Sequence, residues 1–129
     1  MIVLDASALV DALLDQPPKE AVLRRLDQEI VAPAHQPAEV LSAIARLERA
    51  GVISAELAAD ALQDASDLVQ ELIVPDAALL GRAFELRQRI RVVDGLYVAL
   101  AERLGCPLLT SNARLAASSP PCEVVLATG

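Results

Sequence analysis

The sequence predicts a single α/β domain over residues 1–129, a parallel sheet of four to five strands flanked by helices. Short, continuously apolar runs alternate with stretches of helical periodicity, the pattern of strands buried on both faces by crossover helices. The length of 129 residues suits one domain with one sizeable core. No linker, repeat or low-complexity stretch interrupts the alternation.

Met1 to Leu4 reads as a buried strand ending at Asp5. Ser7 to Leu14 carries Leu9, Val10, Leu13 and Leu14 at helical spacing, and Pro17 and Pro18 break it. A second amphipathic helix is expected over Lys19 to Glu29, then a strand from Ile30 to Ala32 closed by Pro33. Gln36 to Ala50 is a longer helix, with Pro37 in the first turn and Gly51 as its stop. Ser54 is the N-cap of a helix running to about Gln70, and Leu72 to Val74 is a third strand before Pro75. Asp76 caps a helix to Arg89, and Asp94 caps one to Leu104 that Gly105 stops. Pro107 to Thr110 is a fourth strand, Asn112 to Ala117 a short helix, and Glu123 to Leu126 a last strand.

Hydrophobic residues make up 54% of the chain and charged residues 22%, which excludes a disordered protein. Phe84 and Tyr97 are the only large aromatics, so Leu, Val, Ile and Ala must build the core. No apolar run approaches the roughly 18 to 20 residues needed to span a bilayer, and the MIVLDAS start does not read as a signal peptide. Cys106 and Cys122 are isolated, without CxxC spacing, and read as reduced thiols. The expectation is a cytoplasmic protein with no membrane partner. A formal charge of −7 argues against nonspecific nucleic-acid binding, which depends on Lys and Arg neutralising phosphates. The bases are ten Arg and one Lys, Lys19. Arg suits bidentate contact with phosphate or carboxylate, although a solvated helix face explains much of such a bias.

Open parallel sheets bind ligands at the carboxyl ends of their strands. Asp5 follows the first strand directly, and Thr110, Ser111 and Asn112 follow the fourth. Glu39 lies in the first turn of the helix after the second strand, and Asp94 opens the helix that feeds the fourth. Clustered carboxylates repel one another, and they stay ionised only around a cation. Oxygen donors of this kind select Mg²⁺ or Mn²⁺, ions that activate water and offset charge on a phosphoryl group. The chemistry suggested is phosphodiester hydrolysis. Asp94 and Glu39 have a simpler role open to them at helix starts, where acids cap and complement the dipole. Asp5 has less of an alternative, because an acid inside an apolar stretch is costly unless paired or bound. Asp11, Asp15, Asp60, Asp64 and Asp67 read as solvated helix faces, and His35 as structural or exposed. Ser7 has no partner base; it is expected to cap the first helix and help fix the Asp5 carboxylate.

Three segments, MIVLDASALVDALL, PAEVLSAIARLERAG and VVDGLYVALAERLGCPLLTSNARLA, with the spacing between them, resemble the PIN-domain ribonucleases over essentially the whole length. The resemblance is greatest to the VapC toxins of bacterial and archaeal toxin–antitoxin pairs. It implies a PIN-like (Rossmann-like) sheet and a Mg²⁺- or Mn²⁺-dependent site that cuts RNA. It also implies a homodimer and a cognate VapB-like antitoxin whose C-terminal arm occupies the site. Asp5, Glu39 and Asp94 fall on the family's acidic, metal-binding positions, and Ser7 and Thr110 on its supporting hydroxyl positions. Asn112 stands where the family usually has a fourth catalytic acid. An amide keeps a carbonyl oxygen and removes one negative charge.

That departure supports an alternative function, a catalytically weakened PIN-like module that binds RNA or antitoxin. A phosphoacceptor receiver domain needs a Lys after a late strand, and the only Lys is Lys19. Neither GxGxxG nor GxxxxGK[ST] occurs, which argues against a dinucleotide or P-loop site. Arg82, Arg87, Arg89 and Arg91 either hold substrate phosphates or an antitoxin's acidic arm, or form a solvated face. The long, apolar helical hairpin from Gln36 to Gln70 suggests a partner surface.

Overall fold

The computed structural model describes all 129 residues. Five parallel strands form one sheet in the order β3-β2-β1-β4-β5. In chain order these are β1 (Ile2–Leu4), β2 (Ile30–Pro33), β3 (Glu71–Ile73), β4 (Leu108–Thr110) and β5 (Val124–Leu126). The helices are α1 (Ala6–Leu13), α2 (Lys19–Leu23), α3 (Gln36–Arg49), α4 (Ala55–Asp67), α5 (Ala77–Glu85), α6 (Val92–Leu104) and α7 (Ala113–Ala117). No helix is long and apolar enough to cross a membrane.

The strand pleat divides the core in two. Ile2, Leu4, Ile30 and Leu109 pack with Leu9, Val22, Val40 and Ile44 beneath α1 to α4. Val3, Val31 and Leu108 face the other way, onto Leu79, Tyr97, Val98 and Leu100 of α5 and α6. After β1 the chain builds outward through β2 to β3, then crosses back to place β4 on the far side of β1. The reversal of direction lies between β1 and β4, where the carboxyl ends of open α/β sheets hold their ligands.

Most expected caps are present. The side chains of Ser54 and Asp76 accept from Leu57 N and Leu79 N, and Gly105 (φ 62°) ends α6 in the left-handed region. Several boundaries differ from expectation. The helix expected to reach Glu29 stops at Leu23, because Val22 is its only buried residue and i−3 bonds from Arg25 and Leu26 close a turn instead. The helix expected to reach Arg89 gives way to turns after Glu85, where Arg87 N and Arg89 N also bond three residues back. β3 lies one residue earlier than expected, since its pairing with β2 ends at Pro33 and Ile73.

α6 starts at Val92, so Asp94 sits inside its first turn and does not cap it. α6 is set close to α5: a Cβ built on Gly95 would lie 3.2 Å from both Cα and Cβ of Ala83. Gly95→Val is expected to push the two helices apart and to destabilise the fold by roughly 1–3 kcal/mol, as overpacking does. A thermal melt no lower than that of the wild type would contradict this close packing.

Candidate metal and phosphodiester site

Asp5 leaves β1 at the strand's carboxyl end and is 3% exposed. Its backbone N–H donates to Leu109 O of β4 at 3.1 Å, which ties the residue to the neighbouring strand. Oδ1 accepts from Ser7 Oγ at 2.7 Å and from Ala8 N at 2.9 Å; Oδ2 accepts from Thr110 Oγ1 at 2.5 Å. Asp5 is therefore the N-cap of α1, a role expected of Ser7. Ser7 does fix the carboxylate, and its Oγ also accepts from Ser111 N at 3.2 Å. Thr110 is fully buried beneath the site, and its Oγ1 accepts from Asn112 N at 3.0 Å. Burial pushes the Asp5 carboxyl up to about 6 against these bonds, and the negative charge of Asp94 adds to the rise.

Glu39 comes from the first turn of α3. Its Oε1 accepts from Tyr97 Oη of α6 at 2.8 Å and lies 3.3 Å from His35 Nε2. Burial alone would raise its pKa, but the His35 and Tyr97 bonds and the charges of His35 and Arg91 outweigh burial, so the pKa is lowered. Tyr97 in turn is raised, first by burial and then by the Glu39 charge, and stays a hydrogen-bond donor. His35 is packed against the Tyr97 ring at 4.7 Å between centroids, with Nε2 placed to donate to Val93 O at 3.0 Å. It is a structural histidine, as expected. Asp94 is held by Arg91 through two 3.2 Å bonds from Nε and Nη2, and the same Nη2 lies 3.7 Å from Glu39 Oε2.

Asp5, Ser7, Glu39, Asp94 and Asn112 line one cleft of about 220 Å³, so residues scattered through the sequence do converge. Asn112 Oδ1 accepts from Arg114 N and Leu115 N as the N-cap of α7. The carbonyl oxygen that would take the place of the missing acid is thus engaged with backbone. Asp11, Arg46, Arg91 and Tyr97 also line the cleft. Asp11 reads as solvated in the sequence, yet Ser111 Oγ donates to its Oδ2 at 2.5 Å. Helical spacing carries the signal for these additions. Asp11 follows Ser7 by four, Arg46 follows Glu39 by seven, and Tyr97 follows Asp94 by three, so each pair shares a helix face. Of the arginines ahead of Asp94, Arg82 is tied to Glu85 and Glu102, and Arg87 stacks on Phe84 at 4.0 Å. Only Arg89 and Arg91 reach the neighbourhood of the acids.

The donors facing the cleft are carboxylates backed by hydroxyls, which fit a hard divalent cation in kind. In this conformation no three acidic, His or Cys side chains gather at metal-ligand spacing. The Arg91 guanidinium lies between two of the acids, holding Asp94 and leaning on Glu39.

The PIN domain family matches residues 2–118. Ribonuclease VapC3 of Mycobacterium tuberculosis is 39% identical over 128 residues, which cover 96% of this chain and 91% of that protein. Ribonuclease VapC12 of the same organism is 44% identical over 119 residues, 92% of each chain. Among solved structures, PAE2754 of Pyrobaculum aerophilum superposes with a TM-score of 0.72 at 20% identity, over 96% of this chain and 88% of that one.

The raised Asp5 pKa has a thermodynamic sign. A carboxyl at 3.8 when unfolded and about 6 when folded binds its proton more tightly in the fold. Its stabilising contribution is full below about pH 4 and lost as pH rises through about 6. In EDTA, Asp5→Asn should therefore be more stable than the wild type at pH 7, by about 1–3 kcal/mol. The difference should vanish on acidification to about pH 4 in denaturant titrations. An Asn variant less stable at pH 7 would mean that the hydroxyl and amide donors outweigh burial.

Proposed function

The chain belongs to the PIN-domain family and, within it, to the VapC ribonuclease toxins, and on that footing we propose that it hydrolyses RNA phosphodiester bonds with Mg²⁺ or Mn²⁺ held by Asp5, Glu39 and Asp94. The observation that carries this reading is the acid-lined cleft at the reversal between β1 and β4, with a buried carboxylate at its floor. A bound divalent ion supplies activation of water and neutralisation of the phosphoryl oxygens. The protein's own residues do the rest. Ser7 and Thr110 hold Asp5 rigidly, so one oxygen-donor residue is pre-oriented. Tyr97 from α6 and His35 from one turn earlier in the chain orient Glu39. Arg91 compensates Glu39 and Asp94, whose charges would otherwise face each other without a counter-ion.

We assign Asn112 the capping role and not that of a ligand. One acid fewer then leaves a single firmly held metal and a high divalent requirement. The partners proposed are an RNA substrate, a VapB-like antitoxin and a second copy of the chain. An apolar groove of about 530 Å³ between α3 and α4, lined by Val40, Leu41, Leu62 and Leu68, supports an apolar protein partner. Exposed Val74, Leu80 and Phe84 support a self-association face. Light scattering at micromolar concentration is expected to give a dimer; a monomer only would remove that element.

The activity itself is tested by RNA cleavage against metal concentration. Cleavage is expected with Mg²⁺ or Mn²⁺ and to stop in EDTA. Asp5→Asn, Glu39→Gln and Asp94→Asn should each lose activity by orders of magnitude, since metal-assisted charge stabilisation is worth several kcal/mol. Asn112→Asp keeps a good cap while restoring a charge, and should lower the metal concentration for half-maximal cleavage. Full activity in Asp5→Asn, or cleavage that survives EDTA in nuclease-free protein, would overturn the mechanism. Tight RNA binding without cleavage at any metal concentration would establish the binding-module alternative.

A further inference from the structure

A second pocket of about 290 Å³ opens beside the acid cleft and shares Arg91, Asp94 and Asn112 with it. Its remaining charged lining is Arg89 and Arg114, from the turns before α6 and from α7. Both side chains are exposed, and neither forms an ion pair. Arg82 and Arg103, by contrast, are each committed to carboxylates. Most of the chain's arginines form no ion pair, but Arg89 and Arg114 line a pocket that includes Asp94 and adjoins the acid cleft. The pocket has only Ile90 and Leu115 as apolar lining and no aromatic ring.

We propose that Arg89 and Arg114 form a subsite for the backbone phosphate of the RNA strand next to the bond being cut, an inference that rests on the ribonuclease reading above. A strand lying across the acids must continue somewhere, and this pocket adjoins them through three shared residues. Guanidinium groups bind phosphate oxygens bidentately. Without a ring to stack on, the pocket meets the strand's backbone and carries no base preference. An anionic group here lies beside Arg91, which holds Asp94, so the subsite also sets the register of the strand over the cleft.

The test is binding, not cleavage. In the Asp5→Asn background with Mg²⁺ present, a short fluorescent single-stranded RNA is titrated at several salt concentrations. Arg89→Gln with Arg114→Gln should weaken binding at least about tenfold and reduce the salt slope by about 0.7, the amount expected for one phosphate left without its guanidiniums. Arg89→Lys with Arg114→Lys keeps the charges and should retain most of the slope. Unchanged affinity and slope in the Gln pair overturn the subsite while leaving the ribonuclease reading intact. If the Asp5→Asn protein binds no RNA at all, both fall together. If the Gln pair loses binding of a polyglutamate peptide but keeps RNA, the pocket serves an acidic protein segment, and the proposal is wrong.

Discussion

The arrangement depends on one costly act, the burial of an ionisable carboxyl at the end of the central strand. Asp5 is almost fully enclosed, and an isolated carboxylate there would be strongly disfavoured. Three donors reduce that cost, and they come from two places. Ser7 and Ala8 follow in the same chain segment, while Thr110 arrives from β4, 105 residues later. The strand order has to place β4 beside β1 for this to happen, and the Asp5 N–H bond to Leu109 O fixes the register that aligns Thr110. Gln36 meets the adjacent need by donating to the Leu4 carbonyl at 3.0 Å. The end of β1 is thus satisfied on every side except the one facing the cleft.

The rest of the site comes from both helical layers. Glu39 rides on α3, whose core residues Val40 and Ile44 belong to one face of the sheet. Asp94, Tyr97 and Arg91 belong to α6 and its entry, on the other. The two layers meet only above the strand ends, and they are joined there by Tyr97 to Glu39, His35 to Val93 O and Arg91 to Glu39. Gly95 lets α6 lie close against α5, which helps place Asp94 and Tyr97 at that junction. A change in helix packing on either face therefore reaches the acids through a side chain that bridges the layers.

Much of this was legible in the residues. The apolar run ending in Asp5 pointed to a strand with an acid at its carboxyl end, and Gly51 and Gly105 pointed to helix stops, as found. The five-strand parallel sheet and the convergence of Asp5, Glu39 and Asp94 also agree with the sequence. What stayed hidden depends on tertiary contacts. Asp94 looks like a cap because Asp favours that position, yet the helix takes Arg91 as its N-cap and starts three residues sooner, at Val92. The second helix reads as amphipathic to Glu29, but a periodic pattern forms no helix where only one residue finds a core. Asp11 looks solvated until Ser111, a hundred residues away, is brought against it. Asn112 is open to two roles in the sequence, and the placement of α7 brings Arg114 N and Leu115 N onto its carbonyl oxygen.

The overall charge and the local charge of this protein point in opposite directions. A chain at −7 should repel a polyanion, and Asp60, Asp64 and Asp67 on α4 contribute to that total. At physiological ionic strength, however, exposed charges are screened beyond about 8 Å. What an approaching phosphate feels near the cleft is set by Arg46, Arg89, Arg91 and Arg114, all of which line the two adjoining pockets. The acids they surround are partly compensated, Asp94 and Glu39 by Arg91 and Asp5 by its neutral donors. Net acidity therefore does not exclude a nucleic-acid substrate. It removes the long-range, nonspecific part of the attraction, and in the proposed reading it leaves binding to a short stretch of strand at the arginine-lined edge of the site.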